Sequence, residues 1–224
     1  MAKMIWDASG TRYFHTGVSD VGLYMMGSGG SYGTGKAWSG VTGITQSPDG
    51  ADAQNFYADN IKYLSIRAKE NWKGTIKCYQ YPVEFKAALG KKELVVGSGV
   101  YVGQQSRTSF ALVWKTKFGN DTQGEDYGHV LHIAYGLTAG PSEEEDNTTN
   151  ETPEINEFSF DLESTPAQTS NGNTVTSYVE LNSTEVNATK LTTIEAKAYG
   201  SGTTAGTNDP ALPDLDYLVS TLTS

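Results

Sequence analysis

The sequence predicts a mainly β protein of long hairpins, with one or two short helices flanking the sheet. Three observations carry this. Among 224 residues there are 25 Gly, 13 Tyr and 4 Trp, with abundant Thr and Ser, a composition suited to half-buried pleated surfaces joined by tight turns. Short runs of alternating character recur along the chain. Clusters of Gly or of Asn and Asp punctuate them.

In order, β-like runs are expected from Arg12 to His15, from Gly22 to Met26 and from Ala37 to Gln46, the last after a glycine cluster over residues 27–36. Ser47 to Ala53 reads as a loop. Phe56 to Tyr63 holds Asp59-Asn60 between β-like flanks, a turn signal. A strand follows from Ile61 to Ala68, a turn from Glu70 to Gly74, and an alternating strand from Thr75 to Tyr81, together a meander. Pro82 near the first position and Gly90 past the end mark a short helix that packs through Phe85 and Leu89.

The longest β signals run from Thr108 to Phe118 and from Tyr127 to Leu137, joined by the polar loop Gly119 to Asp126. Alternation sets Phe110, Leu112, Trp114 and Phe118 on one face and Ser109, Lys115 and Lys117 on the other. Residues 141–157 read as a mobile acidic loop, with too little apolar surface to offset the entropy of ordering. A second hairpin is expected from Phe158 to Ser164 and Val175 to Leu181, turning at Asn171-Gly172. Asn187 to Tyr199 reads as a helix stopped by Gly200, with Leu191, Ile194 and Ala198 on one face. Residues 201–224 form a C-terminal arm or docking segment, with Leu215, Leu218, Val219 and Leu222 on one stripe. Length favours a single domain over residues 1–224.

A net charge of −10 argues against a sequence-independent grip on DNA, which needs Lys and Arg to displace phosphate counterions. No window approaches eighteen consecutive apolar residues and the N-terminal stretch lacks the apolar segment of a signal peptide, so a soluble, cytosolically made protein without membrane contact is expected. The single Cys78 cannot close an intrachain disulfide. It reads as a small core residue.

Signals for chemistry are few in the chain. Gly30 to Lys36 matches the glycine and lysine spacing of a phosphate loop, but Ala37 replaces the magnesium-binding hydroxyl and no helix follows. Of His15, His129 and His132, the latter two are an odd number of residues apart on one strand and face opposite sides, so they cannot readily share a metal. Glu143 to Asp146 lack EF-hand spacing. Asn-x-Ser/Thr triplets at Asn120, Asn147, Asn150, Asn182 and Asn187 are read without glycosylation. A paired-carboxylate hydrolase using Asp59 and Glu84 is the weakest reading. The expectation is a protein that is not an enzyme and takes no cofactor or metal.

Tyr57, Tyr63, Trp72, Tyr79, Tyr81, Trp114 and Tyr135 exceed what a small core needs, and part of them suits subunit contacts, where Tyr and Trp are enriched. An adhesive or carbohydrate-binding β-sandwich is the competing binding reading.

At Phe56-Tyr-Ala-Asp-Asn-Ile-Lys-Tyr63 and Gly74-Thr-Ile-Lys-Cys-Tyr-Gln-Tyr-Pro-Val-Glu-Phe85 the chain resembles the major tail proteins of long-tailed, siphovirus-type bacteriophages, the subunits of the tail tube. The resemblance continues through Val102 to Arg107, Gly119 to Thr122, Asp126-Tyr-Gly128 and Ala134-Tyr-Gly136. More loosely it includes Ala196 to Gly200 and Leu212-Pro213. It implies a β-sandwich or tail-tube fold, with hairpins joining those of about five other copies in an inter-subunit β-barrel. Hexameric rings would then stack into a tube. It implies a location in the virion tail and, as partners, the protein itself, a tape-measure protein in the lumen, and tail terminator and tail-tip proteins. DNA would pass without sequence-specific binding along a wall whose carboxylates repel phosphate. The assembly residues it points to are Tyr57, Asp59, Asn60, Tyr63, Tyr81, Pro82 and Phe85. Two ribbons compete as wall elements, Thr108 to Leu137 and Tyr63 to Tyr81, and long ribbons with open edges gain from closure into a ring.

Overall fold

The computed structural model describes all residues except 1–3, 5, 51, 68, 143, 145–147, 149–154, 203–207 and 224. The fold is mainly β, as expected. Its principal strands are β1 (Tyr13–Met25), β2 (Val41–Gln46), β3 (Ala53–Ala58), β4 (Ile61–Arg67), β5 (Lys73–Cys78), β6 (Phe110–Asn120), β7 (Gly124–Ala139), β8 (Phe158–Ser164) and β9 (Tyr178–Asn182). The helices are α1 (Ala188–Tyr199) and α2 (Leu215–Thr223).

The main sheet runs Lys36–Ala37, β1, β6, β7, β8, β5, β2, with β9 also on β7, and every pairing is antiparallel. Its first and last members are two parts of one stretch of chain, interrupted only by Trp38, Ser39 and Gly40. The sheet therefore returns on itself. Trp38 N–H donates to Val21 O at 2.7 Å on one side of the seam, and Tyr79 N–H donates to Gly40 O at 2.8 Å on the other. Gly40 has φ +81°, a conformation that favours glycine, and there the expected strand from Ala37 to Gln46 divides in two.

β1 merges the two expected N-terminal runs into 13 residues. Its register shifts between Thr16 and Ser19 and again before Gly22, with Gly17 at φ +65° and Asp20 at φ +51°. The strand thus passes through bulges rather than breaking at the intervening polar residues.

The expected hairpin of residues 158–164 with 175–181 is corrected. β8 pairs with β5 and with Leu137–Ala139 of β7, whereas β9 pairs with Val130–Ala134 of β7. Being 16 residues long, β7 offers each a separate stretch. Between them stands Gly136 at φ +62°, where a Cβ would lie 2.1 Å from Thr165 O. Asn171-Gly172 turns only the small pair Ala167–Gln168 and Val175–Thr176.

The β6–β7 ribbon is covered on both faces. Phe110, Leu112, Trp114, Ala134 and Leu137 join a core with Trp38, Trp72, Ile76, Phe85 and Phe160. Ala111, Val113, Leu131, Ile133 and Tyr135 face Leu191, Ile194, Ala198, Leu215 and Leu218 of the two helices. The expected polar face of β6 is therefore half apolar. Lys115, next on that face, reaches Glu195 of α1 at 3.2 Å, and the connecting loop shrinks to residues 121–123.

α1 follows its signals closely. Asn187 Oδ1 accepts from Thr189 N–H at 3.0 Å and Lys190 N–H at 3.4 Å, and Gly200 at φ +81° ends the helix. In α2 Leu215 and Leu218 are buried while Val219 and Leu222 remain exposed. The helix expected from Pro82 to Gly90 is a five-residue 3-10 turn, Val83–Ala87, with Pro82 as N-cap. Phe85 is fully buried and Leu89 partly so. The acidic loop expected over 141–157 lies mostly outside the described residues.

Candidate assembly surface

β2 and β5 do not end where the sheet ends. Their pairing runs from Val41 opposite Cys78 to Gln46 opposite Gly74, continues through Asp49–Gly50 against Glu70–Asn71, and goes on as β3 against β4. Asp49–Gly50, within the segment expected as a loop, and Glu70–Asn71, within the segment expected as a turn, thus pair with each other, and the expected meander is one inserted hairpin. Every described residue of β3 and β4 is exposed. At ~3.3 Å per residue the paired stretch from Ala53 to Ala58 is about 20 Å long. It forms an arm.

The tip is Asp59-Asn60, at φ +52° and +60°. Positive φ at both central positions defines a type I′ turn, whose twist matches that of the flanking strands, and Asp and Asn tolerate it better than other non-glycine residues. The register puts Phe56 opposite Leu64, Gln54 opposite Ile66 and Ala58 opposite Ile61. Side chains alternate, so one face is an apolar stripe of Phe56, Ile61, Leu64 and Ile66. The other face carries Tyr57 opposite Lys62, then Asn55 opposite Ser65, whose Oγ donates to Asn55 Oδ1 at 2.9 Å. A register shift between Phe56 and Tyr57 leaves Tyr63 as the extra residue of a bulge. Tyr57 and Tyr63 are 71% and 74% exposed, Phe56 46% and Ile61 65%.

The base of the arm is fixed. Trp72 is buried, donates from Nε1 to Gln46 Oε1 at 3.1 Å, stacks on Tyr178 at 6.3 Å, and its carbonyl accepts from Ser164 Oγ at 2.9 Å. A Cβ on Gly74 would meet Thr45 O at 2.7 Å and the Trp72 ring at 2.8 Å, so only glycine lets the strands pass this closely beneath the indole. Lys73 Nζ bridges Asp49 at 3.0 Å on the arm and Glu163 at 2.9 Å on β8. The Lys73 ammonium holds the Asp49 carboxyl below the usual carboxylate range.

The seven residues singled out in the sequence separate into two groups. Tyr57, Asp59, Asn60 and Tyr63 are together on the arm. Tyr81, Pro82 and Phe85 lie at the opposite end of β5, where Tyr81 meets Phe85, Phe158 and Phe160 edge-on with centroids 5.4 to 5.9 Å apart. Tyr81 and Phe85 are packing residues of the core. Asp59 and Glu84 are consequently at opposite ends of the molecule, and Glu84 pairs with Lys36 at 3.4 Å.

Sequence reasoning passed over residues 92–102. Lys92–Glu93 pairs with Tyr101–Val102, and the loop between them exposes Leu94 and Val95 at 64%, Val96 at 95% and Val100 at 53%. Three consecutive apolar residues before Gly97 and Gly99 were the available signal. The loop has internal bonds: Leu94 N–H donates to Val100 O at 2.8 Å, Ser98 N–H to Val95 O at 3.0 Å, and Gly99 N–H to Glu93 Oε1 at 2.8 Å. Those backbone donors hold the Glu93 carboxyl below its ordinary range.

Other candidates resolve into structure. His132 is buried, stacked on Trp114 with centroids 5.1 Å apart, and hydrogen-bonded through Nε2 to Thr116 Oγ1 at 2.8 Å and Nδ1 to Tyr178 Oη at 2.5 Å. Burial pushes its pKa down to about 4. His129 lies on the other face against Glu195 Oε1 at 2.6 Å, which Lys115 Nζ also meets at 3.2 Å. Lys36 of the phosphate-loop-like stretch is paired with Leu23 in the sheet. Burial raises the Cys78 thiol to about 11. Among the described residues no cluster of three or more His, Cys, Asp or Glu could hold a metal ion, and no helix is long and apolar enough to cross a membrane.

Searched against models of known families the chain matches none, and no curated protein matches it.

Proposed function

We propose that this protein is a structural subunit of a bacteriophage tail tube, self-assembling through its arm into stacked, hexameric rings that conduct DNA. The observation that carries the reading is the arm: a two-stranded ribbon fixed at its base, exposed on both faces, with a stripe of large apolar side chains. An isolated two-stranded ribbon is marginal in water, and monomers rarely leave so much contiguous apolar surface uncovered. Of the two ribbons in competition, Tyr63 to Tyr81 does not form, since Ile61–Arg67 pairs with Ala53–Ala58 and Lys73–Cys78 pairs elsewhere. Thr108 to Leu137, as β6–β7, has both edges occupied, by β1 on one side and by β9 and β8 on the other. The arm is the ribbon with free edges, and pairing with neighbouring arms around a ring would satisfy them. The −10 charge suits a conduit that repels phosphate. The tape-measure, terminator and tip proteins follow from the same reading as partners, and the virion tail as the location.

The test is negative-stain electron microscopy of the purified protein over rising concentration, with the double variant Asp59→Pro, Asn60→Pro beside it. Proline fixes φ near −65° and cannot occupy either turn position. Rings or hollow tubes from the parent chain, and their loss in a variant whose far-ultraviolet circular dichroism keeps the sheet signal, are expected. Normal tubes from the variant would remove the arm from the reading. A parent chain that stays monomeric at every concentration and binds on a glycan array would replace the reading with the carbohydrate-binding one.

A further inference from the structure

We propose that a cavity under the C-terminal end of α1 binds a small uncharged ring compound bearing a hydrogen-bond acceptor, with the Tyr199 hydroxyl as the donor that selects it. The site shares no residue with the arm and stands independently of the tube reading.

Three pieces of chain enclose the cavity, whose volume is about 200 Å³. Val21 and Tyr24 come from β1, Ala37 from the short edge pair beside it, Ala198 and Tyr199 from the last turn of α1, and Pro210 from the segment that follows the helix. The pieces are tied together. The Tyr24 hydroxyl donates to Ala198 O, Gly35 N–H donates to Pro210 O at 2.9 Å, and Ala211 N–H donates to Lys197 O at 2.9 Å. The wall is therefore formed before any occupant arrives, which keeps the ordering cost of binding small.

This wall holds a polar atom that the fold leaves unused. Tyr199 Oη is buried and has no hydrogen-bond partner among the described residues. Burial holds its hydroxyl above the ordinary range, so the proton stays on at neutral pH. Tyr24 and Asp20, which add to that effect, are themselves cavity walls, so the hydroxyl stands beside the space they enclose. Lys115 Nζ lies 5.0 Å from the Tyr199 ring centroid and 3.2 Å from Glu195, an anchor for the ring. A buried donor without a partner is unfavourable, and an occupant carrying an acceptor removes that penalty.

Size and charge narrow the class of occupant. An apolar cavity of roughly 150 Å³ accepts benzene, so about 200 Å³ admits one six-membered ring with a small substituent. The side chains of Val21, Ala37, Ala198 and Pro210 carry no polar group, and burial keeps the Tyr24 hydroxyl protonated as well. The inner wall thus offers no charge to hold an ion. Asp20 and Lys36 stand exposed at the rim with opposite charges, and Lys36 is already paired with Glu84 at 3.4 Å. A neutral ring with a carbonyl, ether or hydroxyl oxygen matches these features.

Phenol and toluene test the proposal, because they share a shape and only phenol offers an oxygen. Each is titrated at millimolar concentration into the purified full chain, with binding read by saturation-transfer NMR and by the change in Tm. Phenol should raise Tm with dose and bind about fivefold more tightly than toluene, the worth of one hydrogen bond. Tyr199→Phe should weaken phenol by the same factor and leave toluene unaltered. Ala37→Phe, at an exposed strand position, fills the cavity and should abolish binding of both. No dose-dependent rise in Tm with phenol would overturn the proposal. So would phenol binding that survives both variants, which would place it elsewhere on the surface, or equal affinities for the two probes, which would leave the hydroxyl without a role.

Discussion

Lowering the pH tests the environment of His132. Its ring is enclosed by Trp114, Thr116 and Tyr178, with Glu180 near the Tyr178 hydroxyl at 3.3 Å. Burial is the main cause of its lowered pKa, and the neighbouring His15 adds to it. The folded value of about 4 stands against the ordinary 6.5 that applies once the chain unfolds. Between those values the unfolded chain binds a proton that the folded chain refuses, so stability falls as pH drops through this window. At 1.36 kcal/mol per pH unit the contribution is about 3 kcal/mol, fully present at neutral pH and absent below about pH 4. Urea unfolding at pH 7, 5.5 and 4, compared between the parent chain and His132→Gln, isolates this group because the carboxylates titrate alike in both. The parent chain should lose about 3 kcal/mol more than the variant across the window. Equal losses would show that His132 is not held neutral by its surroundings.

Trp72→Ala removes the indole over which the arm is anchored and should cost about 3 to 5 kcal/mol in urea unfolding. It should also increase proteolytic cleavage within residues 49–71 of the folded protein. Asn187→Ala removes the oxygen that accepts from Thr189 and Lys190 and should lower stability by about 1 kcal/mol, with Asn187→Asp retaining most of it.

Local signals carried their elements wherever one stretch of chain determined the outcome. Asn187, the 3-4 spacing of Leu191, Ile194 and Ala198, and Gly200 specify α1 without outside help, and Asp59-Asn60 specifies the arm's turn in the same way. Pairing over distance was not legible. Nothing in Phe158 to Ser164 distinguishes a neighbour at Val175 from one at Lys73, because alternation fixes which face a residue takes and not which strand lies beside it. The second core was hidden for a related reason: Ala111 and Val113 are short enough to sit among lysines in an alternating reading, and only the helices laid over them make them interior. At the candidate site the aromatic excess pointed to Tyr57 and Tyr63 on the arm and equally to Tyr81, which packs against the core. Exposure separates them, and exposure depends on the whole fold.

The return of the sheet on itself also sets an order for folding. β1 must find β6, with Tyr13 opposite Asn120, so the body cannot close until more than half the chain is available, and such distant pairings form slowly. The arm joins neighbours across a two-residue turn, a structure that forms on a scale of about 1–10 μs. During synthesis its apolar stripe therefore exists well before the body is complete. A nascent chain is stickiest at this exposed arm, and a chaperone engaging residues 53–67 would protect the longest-exposed hazard on the pathway.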